Sequence, residues 1–342
     1  MEKPSIKDVA EKAGVSIATV SNVVNKKGRV SEKMIDRVQS IISEMGYSPN
    51  ISARGLKQQQ SYLIGVIVPF QQQDGNLQDN PFYWNLVSGI ELGARNEKFH
   101  VILSGINEEN ADALDFVKDR HLDGLVIVGT YEDSPITQKI NQLNIPCVYI
   151  DSYLKDKNCY EVYLDDEKGA YEGTKYLLNH GHQNIAVISG ELEGGVTTAR
   201  LRGHIDALNK NGLLFSEENH IVAPVSIEGG LHTANQILAL KDISAIFCFS
   251  DVTAFGVMKG LHDLGVNIPE DLSIMGFDDL YFSKYLSPPL TTISQDIILK
   301  GKTATELLIG QIDHKVNIER KNTIPIKIME RNSIKPFNDK LI

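Results

Sequence analysis

Two groups of side chains in this sequence have the types and spacing to do chemistry. The first is charged. Asp151 follows the apolar run CVYI, Asp251 follows AIFCFS, and Asp278 and Asp279 follow LSIMGF. Arg200 and Arg202 lie early in a helical segment after NIAVISG, and Phe82, Tyr83 and Trp84 cluster ahead of another. Charged groups bond hydroxyls strongly, and aromatic rings cover the apolar faces of sugars, so this set suits a polyhydroxylated ligand. Each aspartate could equally cap the helix that follows it. Asp165 and Asp166 are read as caps, and core packing claims one ring of the aromatic trio.

The second group is small and uncharged. In GVSIATVSNVVN, residues 14–25, the side chains of Ile17, Ala18, Ser21, Asn22 and Asn25 share one helical side, opposite Val20, Val23 and Val24. Methyl groups can rest on thymine methyls, and a carboxamide can pair with an adenine edge.

The elements that must hold these residues fall into a head and a body. Ser5 to Asp8 has the form of a capping box, Ile6, Val9, Ala10 and Ala13 recur at helical spacing, and Gly14 can end that helix. Ser16 can cap the next helix. A third follows Ser31, with Met34, Ile35, Val38, Ile41, Ile42 and Met45 as its stripe and Gly46 as its stop. Small residues before the Gly14 turn permit the close crossing of a helix-turn-helix. Pro49 then breaks the chain, and Ile51 to Lys57 makes a helix too short to be stable alone, so it orders against a partner. Gln58 to Gln60 reads as a linker. In the body, strand-like runs such as YLIGVIVPF, HVILSGI, GLVIVG and NIAVISG alternate with helical segments over Phe82–Phe99, Tyr171–His180, Arg200–Gly212 and Ala254–Gly265. Continuous apolar strands joined by helices indicate parallel sheets covered on both faces, here in two α/β subdomains flanking a cleft. Ligands of such sheets sit beyond the carboxyl ends of the strands, where the aspartates lie.

Charge separates the same two parts. Of the net −10, residues 1–60 carry +4 and the remainder −14, so only the head is suited to a polyanion. No apolar run is long enough to span a bilayer, and no leader-like apolar core opens the sequence. Three scattered cysteines read as reduced thiols, which predicts a cytoplasmic chain. Phosphate-loop, nucleophile-elbow and HExxH motifs are all missing, and the nine histidines lack ligand spacing, so neither catalysis, metal nor cofactor is expected. A sugar-active enzyme or an exported sugar-binding protein would account for the body and leave the head without a use.

IKDVAEKAGVSIATVSNVVN, followed by VSEKMIDRVQSIISEMGYSPNISARGLK, resembles the DNA-binding head of LacI/GalR regulators over the first 57 residues. LDGLVIVG, GHQNIAVISG, TARLRGH, IMGFDD and PPLTTISQD extend that resemblance to the whole chain. It implies a small all-α head and a body of two doubly wound parallel-sheet subdomains of periplasmic-binding-protein type. The implied limits are 1–48 for the helix-turn-helix, 49–61 for hinge helix and linker, and 62–342 for effector binding and dimerisation. Within the last, one subdomain takes about 62–163 and 292–321, the other about 164–291 and 322–342. Crossovers are expected near Leu164, Pro289–Thr292 and Arg320–Asn322.

The resemblance further implies a repressor that binds a pseudo-palindromic duplex operator as a homodimer, switched by a small effector. A carbohydrate or sugar phosphate is expected, with a nucleobase or a phosphocarrier protein as alternatives; the family contains both inducers and co-repressors. Implied DNA contacts are Ser16, Ile17, Ala18, Thr19, Ser21, Asn22, Asn25, Arg29, Tyr47, Asn50, Ala53, Leu56 and Lys57, with Leu56 as the wedge between base pairs. Implied effector contacts are Phe82, Tyr83, Asp151, Arg200, Ser250, Asp251, Asp278 and Gln295, with Val225 near a position often aromatic. The tail lacks leucine heptads, which predicts a dimer rather than a tetramer.

Overall fold

The structure, a computed structural model, describes residues 4–24, 28, 30–47, 60–69, 80–106, 114–191 and 195–337. The expected contacts Asn25, Arg29, Asn50, Ala53, Leu56 and Lys57 and the loop 71–79 lie outside them. Two units divide the chain, Met1–Ser61 and Tyr62–Ile342.

In the head, the Asp8 carboxylate accepts the Ser5 N–H at 2.7 Å while Ser5 Oγ accepts the Asp8 N–H, a reciprocal box that satisfies two backbone donors at the start of α1 (Ile6–Ala13). Gly14, at φ +63°, ends that helix. Ser16 Oγ accepts the Thr19 N–H at 3.1 Å and starts α2 (Ile17–Val24). A third helix, α3 (Glu32–Met45), stops at Gly46 with φ +62°. Val9, Ala13, Val20 and Val38 are wholly excluded from solvent and form the core. The rest of the expected α3 stripe packs partly buried around it.

In the body, β1 (Leu63–Pro69), β2 (His100–Ile106), β3 (Gly124–Val128), β4 (Cys147–Ile150) and β5 (Tyr160–Leu164) form a parallel sheet in the order β2-β1-β3-β4-β5. A second parallel set, β6 (Ile185–Ser189), β7 (His220–Val222), β8 (Ala245–Cys248), β9 (Ser273–Asp278) and β10 (Thr291–Gln295), runs β7-β6-β8-β9-β10. All five residues of β3 and of β6 are buried, as continuous apolar runs require when both faces are covered. Two late strands complete the edges: β11 (Lys321–Ile324) joins β5 in parallel, and β12 (Ile326–Met329) joins β10 antiparallel. This antiparallel edge departs from the all-parallel expectation. Only Pro325 separates β11 from β12, so the chain leaves the first sheet at its carboxyl end and enters the second from that sheet's carboxyl end.

The chain passes between sheets after Leu164, after Gln295 and at Pro325. Strands β10 and β11 lie wholly within one sheet each, which moves the second and third crossovers a few residues beyond the expected positions.

Five helices position the side chains of interest: α4 (Pro81–Asn96), α5 (Asp166–Asn179), α6 (Gly195–Lys210), α7 (Asp251–Asp263) and α8 (Ile297–Ile312). Helix α8 packs on α4 and on β3, β4 and β5, so it belongs with the first sheet although it follows a strand of the second. Helices α5 and α6 cross tightly. A Cβ at Gly203 would stand 1.9 Å from the Glu167 carbonyl oxygen, so only glycine allows the approach that brings Arg200 to Asp166.

Candidate functional site

On α2, Ser16, Ile17, Ala18 and Asn22 are exposed and Thr19 and Ser21 half-exposed, while Val20 and Val23 point inward. Ile17 is 44% exposed, which leaves its methyl groups open to contact. Ser16 Oγ and Thr19 Oγ1 lie 2.9 Å apart at the helix start, where N–H groups and hydroxyls can meet a phosphate. The face offers methyls, hydroxyls and one carboxamide, with no charged residue along α2. Tyr47 packs partly buried against the head core, and that burial raises its phenol above the usual range.

In the body, the carboxyl ends of both sheets meet in one connected set of charges. Asp151, just past β4, accepts two bonds from Lys300 Nζ at 2.8 and 2.7 Å. Lys300 also donates to Gln295 Oε1 at 2.5 Å, and Gln295 Nε2 donates to Asp278 Oδ1 at 2.7 Å. Arg200 lies 3.5 Å from Asp278, donates to Asp166 Oδ1 at 2.7 Å and reaches the Phe249 carbonyl. Its guanidinium stacks 3.5 Å above the Phe277 ring, and Tyr153 donates its hydroxyl proton to Asp166. The set draws on the loop after β4, helices α5, α6 and α8 and strands β9 and β10, and the chain of bonds runs from the first sheet's side to the second's.

Phe82 and Tyr83, at the start of α4, meet edge-to-face at 5.5 Å, and Lys300 Nζ stands 5.8 Å from the Phe82 ring. Trp84 points outward, 48% exposed, so two of the three aromatic residues pack against the body's core. Burial, reinforced by Asp151 and Asp278, pushes the Tyr83 phenol up to about 12. Burial likewise pushes Asp278 up to about 6, against the pull of Arg200 and Gln295. Asp151, Tyr153 and Asp278 sit at φ +52°, +52° and +113°, backbone that non-glycine residues adopt reluctantly and that clusters at functional sites.

Sequence reasoning placed Asp151, Arg200, Asp278 and Gln295 together, and the structure connects all four. It gives Asp251 different partners. Asp251 Oδ2 accepts the Leu280 N–H at 2.8 Å and the Ser283 hydroxyl at 2.5 Å, and Oδ1 accepts the Thr292 hydroxyl at 2.6 Å. Ser250 caps α7, its Oγ accepting the Val252 N–H at 3.2 Å, so Asp251 is not the cap of that helix. Asp251 thus ties the segment just after β9 and Asp278 to Thr292 in β10, the strand that ends at Gln295. Asp279 pairs with Arg331 at 2.6 Å.

Burial pushes Asp251 up to about 8. A carboxyl group whose folded pKa exceeds its unfolded value near 4 holds its proton more tightly in the folded state. Its contribution is fully present below about pH 4 and is lost as pH rises through about 8. The stability deficit of Asp251→Asn, from urea unfolding at about pH 5 and about pH 8.5, is therefore expected to shrink as pH rises. A deficit that grows with pH would contradict this.

Three members of the set escaped sequence reasoning: Lys300, Asp166 and Tyr153. Lys300 had a signal, since Ile297, Lys300, Gly301, Ala304 and Leu308 make one buried helical stripe with a lysine inside it. Asp166 was read as a cap, yet Asp165 alone caps α5 by accepting the Lys168 N–H at 3.0 Å.

Residues 5–50 match the family model described as bacterial regulatory proteins, lacI family, and residues 174–334 match the periplasmic binding protein-like domain. The chain is 32% identical to the HTH-type transcriptional repressor PurR of Vibrio atlanticus (strain LGP32), over 98% of this chain and 99% of that one. Its fold is similar to that of the lac repressor dimer bound to operator and the anti-inducer ONPF, with TM-score 0.85 and 27% identity over 97% and 99% of the two chains. It is also similar to the complex of the transcriptional regulator CelR with cellobiose, with TM-score 0.74 and 25% identity over 96% and 99%.

Proposed function

The chain belongs to the LacI family of DNA-binding transcriptional repressors, regulators rather than enzymes; from that premise we propose that it represses carbohydrate-utilisation genes and is released from, or held on, its operator by a sugar bound in the body. The observation that carries this reading is the unbroken run of bonds Asp151–Lys300–Gln295–Asp278–Arg200–Asp166, which joins the carboxyl ends of both sheets beside Phe82 and Tyr83. A hydroxyl both donates and accepts, so a polyol can insert into such a run and replace each broken bond. Val225 offers no second aromatic plane with which to sandwich a flat base. A nucleobase is the second reading, because the Gln295 amide beside the Asp278 carboxylate offers the donor and acceptor that a base edge requires.

In the head, Ser16, Thr19, Ser21 and Arg29 contact the phosphates, and Asn25, Asn50 and Lys57 complete the DNA-facing set. Ile17, Ala18 and Asn22 read bases in the major groove, and Tyr47, Ala53 and Leu56 act near the centre of the site. A homodimer presents two heads to a two-fold operator. The exposed aromatic patch Tyr281, Phe282 and Tyr285, 58%, 54% and 63% exposed, suits burial against a second copy. The compartment that fits this work is the cytoplasm. Among the described residues no helix is long and apolar enough to cross a membrane. Effector binding biases the crossovers after Leu164, after Gln295 and at Pro325. Its leverage is the difference in affinity for the two arrangements, about 5.5 kcal/mol for a swing from 1:99 to 99:1.

A thermal-shift titration against sugars, sugar phosphates and nucleobases tests the effector. One or more sugars are expected to raise the melting temperature. A rise from a nucleobase alone would overturn the carbohydrate reading and leave the second reading in its place.

A further inference from the structure

Lys300 is wholly buried in the middle of the cleft, and two cations stand there, Lys300 and Arg200. A lysine and an arginine in a cleft ordinarily suggest an anionic ligand, and the surrounding bonds say otherwise. The three N–H groups of the Lys300 ammonium have three acceptors: both oxygens of Asp151 and Gln295 Oε1. Each nitrogen of Arg200 also has a protein partner, in Asp166, the Phe249 carbonyl and Asp278. Against two cations the set holds three carboxylates, Asp151, Asp166 and Asp278. The undescribed segments 70–79 and 192–194 contain no lysine or arginine that could tip this balance.

A phosphate or carboxylate entering here would have to displace a carboxylate from its cation and bury a further negative charge beside the three already present. That exchange leaves an uncompensated buried charge, among the costliest arrangements in a protein interior. An uncharged polyol carries no such penalty, because its hydroxyls can donate to Asp151 and accept from Lys300 together. The position of Lys300 adds a second property. It lies in the first turn of α8, on the first sheet's side of a crossover, and bonds Gln295 on the second sheet's side five residues earlier. A ligand that separates Lys300 from Gln295 therefore acts on a hinge of the body itself.

We propose that Lys300 is a specificity-determining residue of the effector cleft, and that its pairing with Asp151 and Gln295 selects an uncharged polyhydroxylated effector over phosphorylated or carboxylated ones. This rests on the effector reading above and narrows it. Sugar phosphates, admitted by the sequence, are thereby excluded.

Inorganic phosphate is the probe, measured by titration calorimetry on the full chain. Wild type is expected to show no saturable phosphate binding. Asp151→Asn frees the Lys300 ammonium and lowers the negative charge by one. It is expected to bind phosphate at concentrations at least about tenfold below any seen with wild type, a gain that adding Lys300→Gln removes. Circular dichroism checks that each variant is folded. Saturable phosphate binding by wild type that Lys300→Gln abolishes would overturn the proposal, and so would a folded Asp151→Asn that gains none. Should Asp151→Asn not fold, wild type and Lys300→Gln decide alone: phosphate binding that depends on Lys300 refutes, and its absence supports. Failure of the effector reading shows separately, as a sugar panel that shifts no melting temperature whatever phosphate does.

Discussion

Replacing Arg200 by alanine is expected to cost about 3–5 kcal/mol of stability, because it strands two buried carboxylates. Asp166 and Asp278 are 1% and 5% exposed, and Arg200 is the only cation in an ion pair with either among the described residues. The substitution also removes the guanidinium from the Phe277 face and one donor from the Phe249 carbonyl. Set against a typical total of about 5–15 kcal/mol, the loss is large enough to appear as a marked fall in the urea midpoint. Arg200→Met combined with Asp166→Asn removes a charge of each sign and should recover much of that loss. If Arg200→Ala unfolded at the wild-type midpoint, the charged set would contribute far less to the fold than its burial indicates. For that reason Arg200→Ala alone cannot report on ligand binding, and the charge-balanced variant should be used in the effector panel.

The second large effect is expected at Leu56, from its place in the resemblance. An apolar wedge that unstacks a base step costs a few kcal/mol of DNA deformation, recovered through the contacts that the bend allows. Leu56→Ala shortens the wedge and is expected to weaken operator binding by about 2–3 kcal/mol, roughly a hundredfold. Binding to random-sequence duplex, which depends on phosphate contacts and salt, should change little. Equal losses on both DNAs, measured by fluorescence anisotropy at one salt concentration, would count against the wedge.

The fold was largely legible because its strands are continuous apolar runs and its head helices carry their own start and stop residues. The Ser5–Asp8 box, Gly14 and Gly46 act locally, so sequence alone locates them. Strand β5 carries a weaker sequence signal because Glu161 interrupts its apolar run. That carboxylate is buried, accepting the Ser152 and Tyr153 N–H groups at 3.1 and 2.6 Å and pairing with Lys321 at 3.1 Å. Such a bond set joins three separate segments, and no local pattern encodes it. The candidate site divides the same way. Asp151 and Asp278 follow from the rule that ligands gather at the carboxyl ends of strands, and Gln295 from the resemblance alone. Lys300 comes from a helix, and Asp251 takes hydrogen-bond partners 29 to 41 residues distant in sequence.

The proposal that a dimer reads half-sites through α2, with Ile17 and Ala18 on thymine methyls and Asn22 on an adenine edge, is tested most directly by selecting bound duplexes from a random-sequence pool with the full-length protein. The expected result is a two-fold symmetric consensus with adenine or thymine opposite Ile17, Ala18 and Asn22, and Asn22→Ala should relax one symmetric pair of positions. An asymmetric consensus, half-sites specified mainly by guanine, or no enrichment above the starting pool would contradict it.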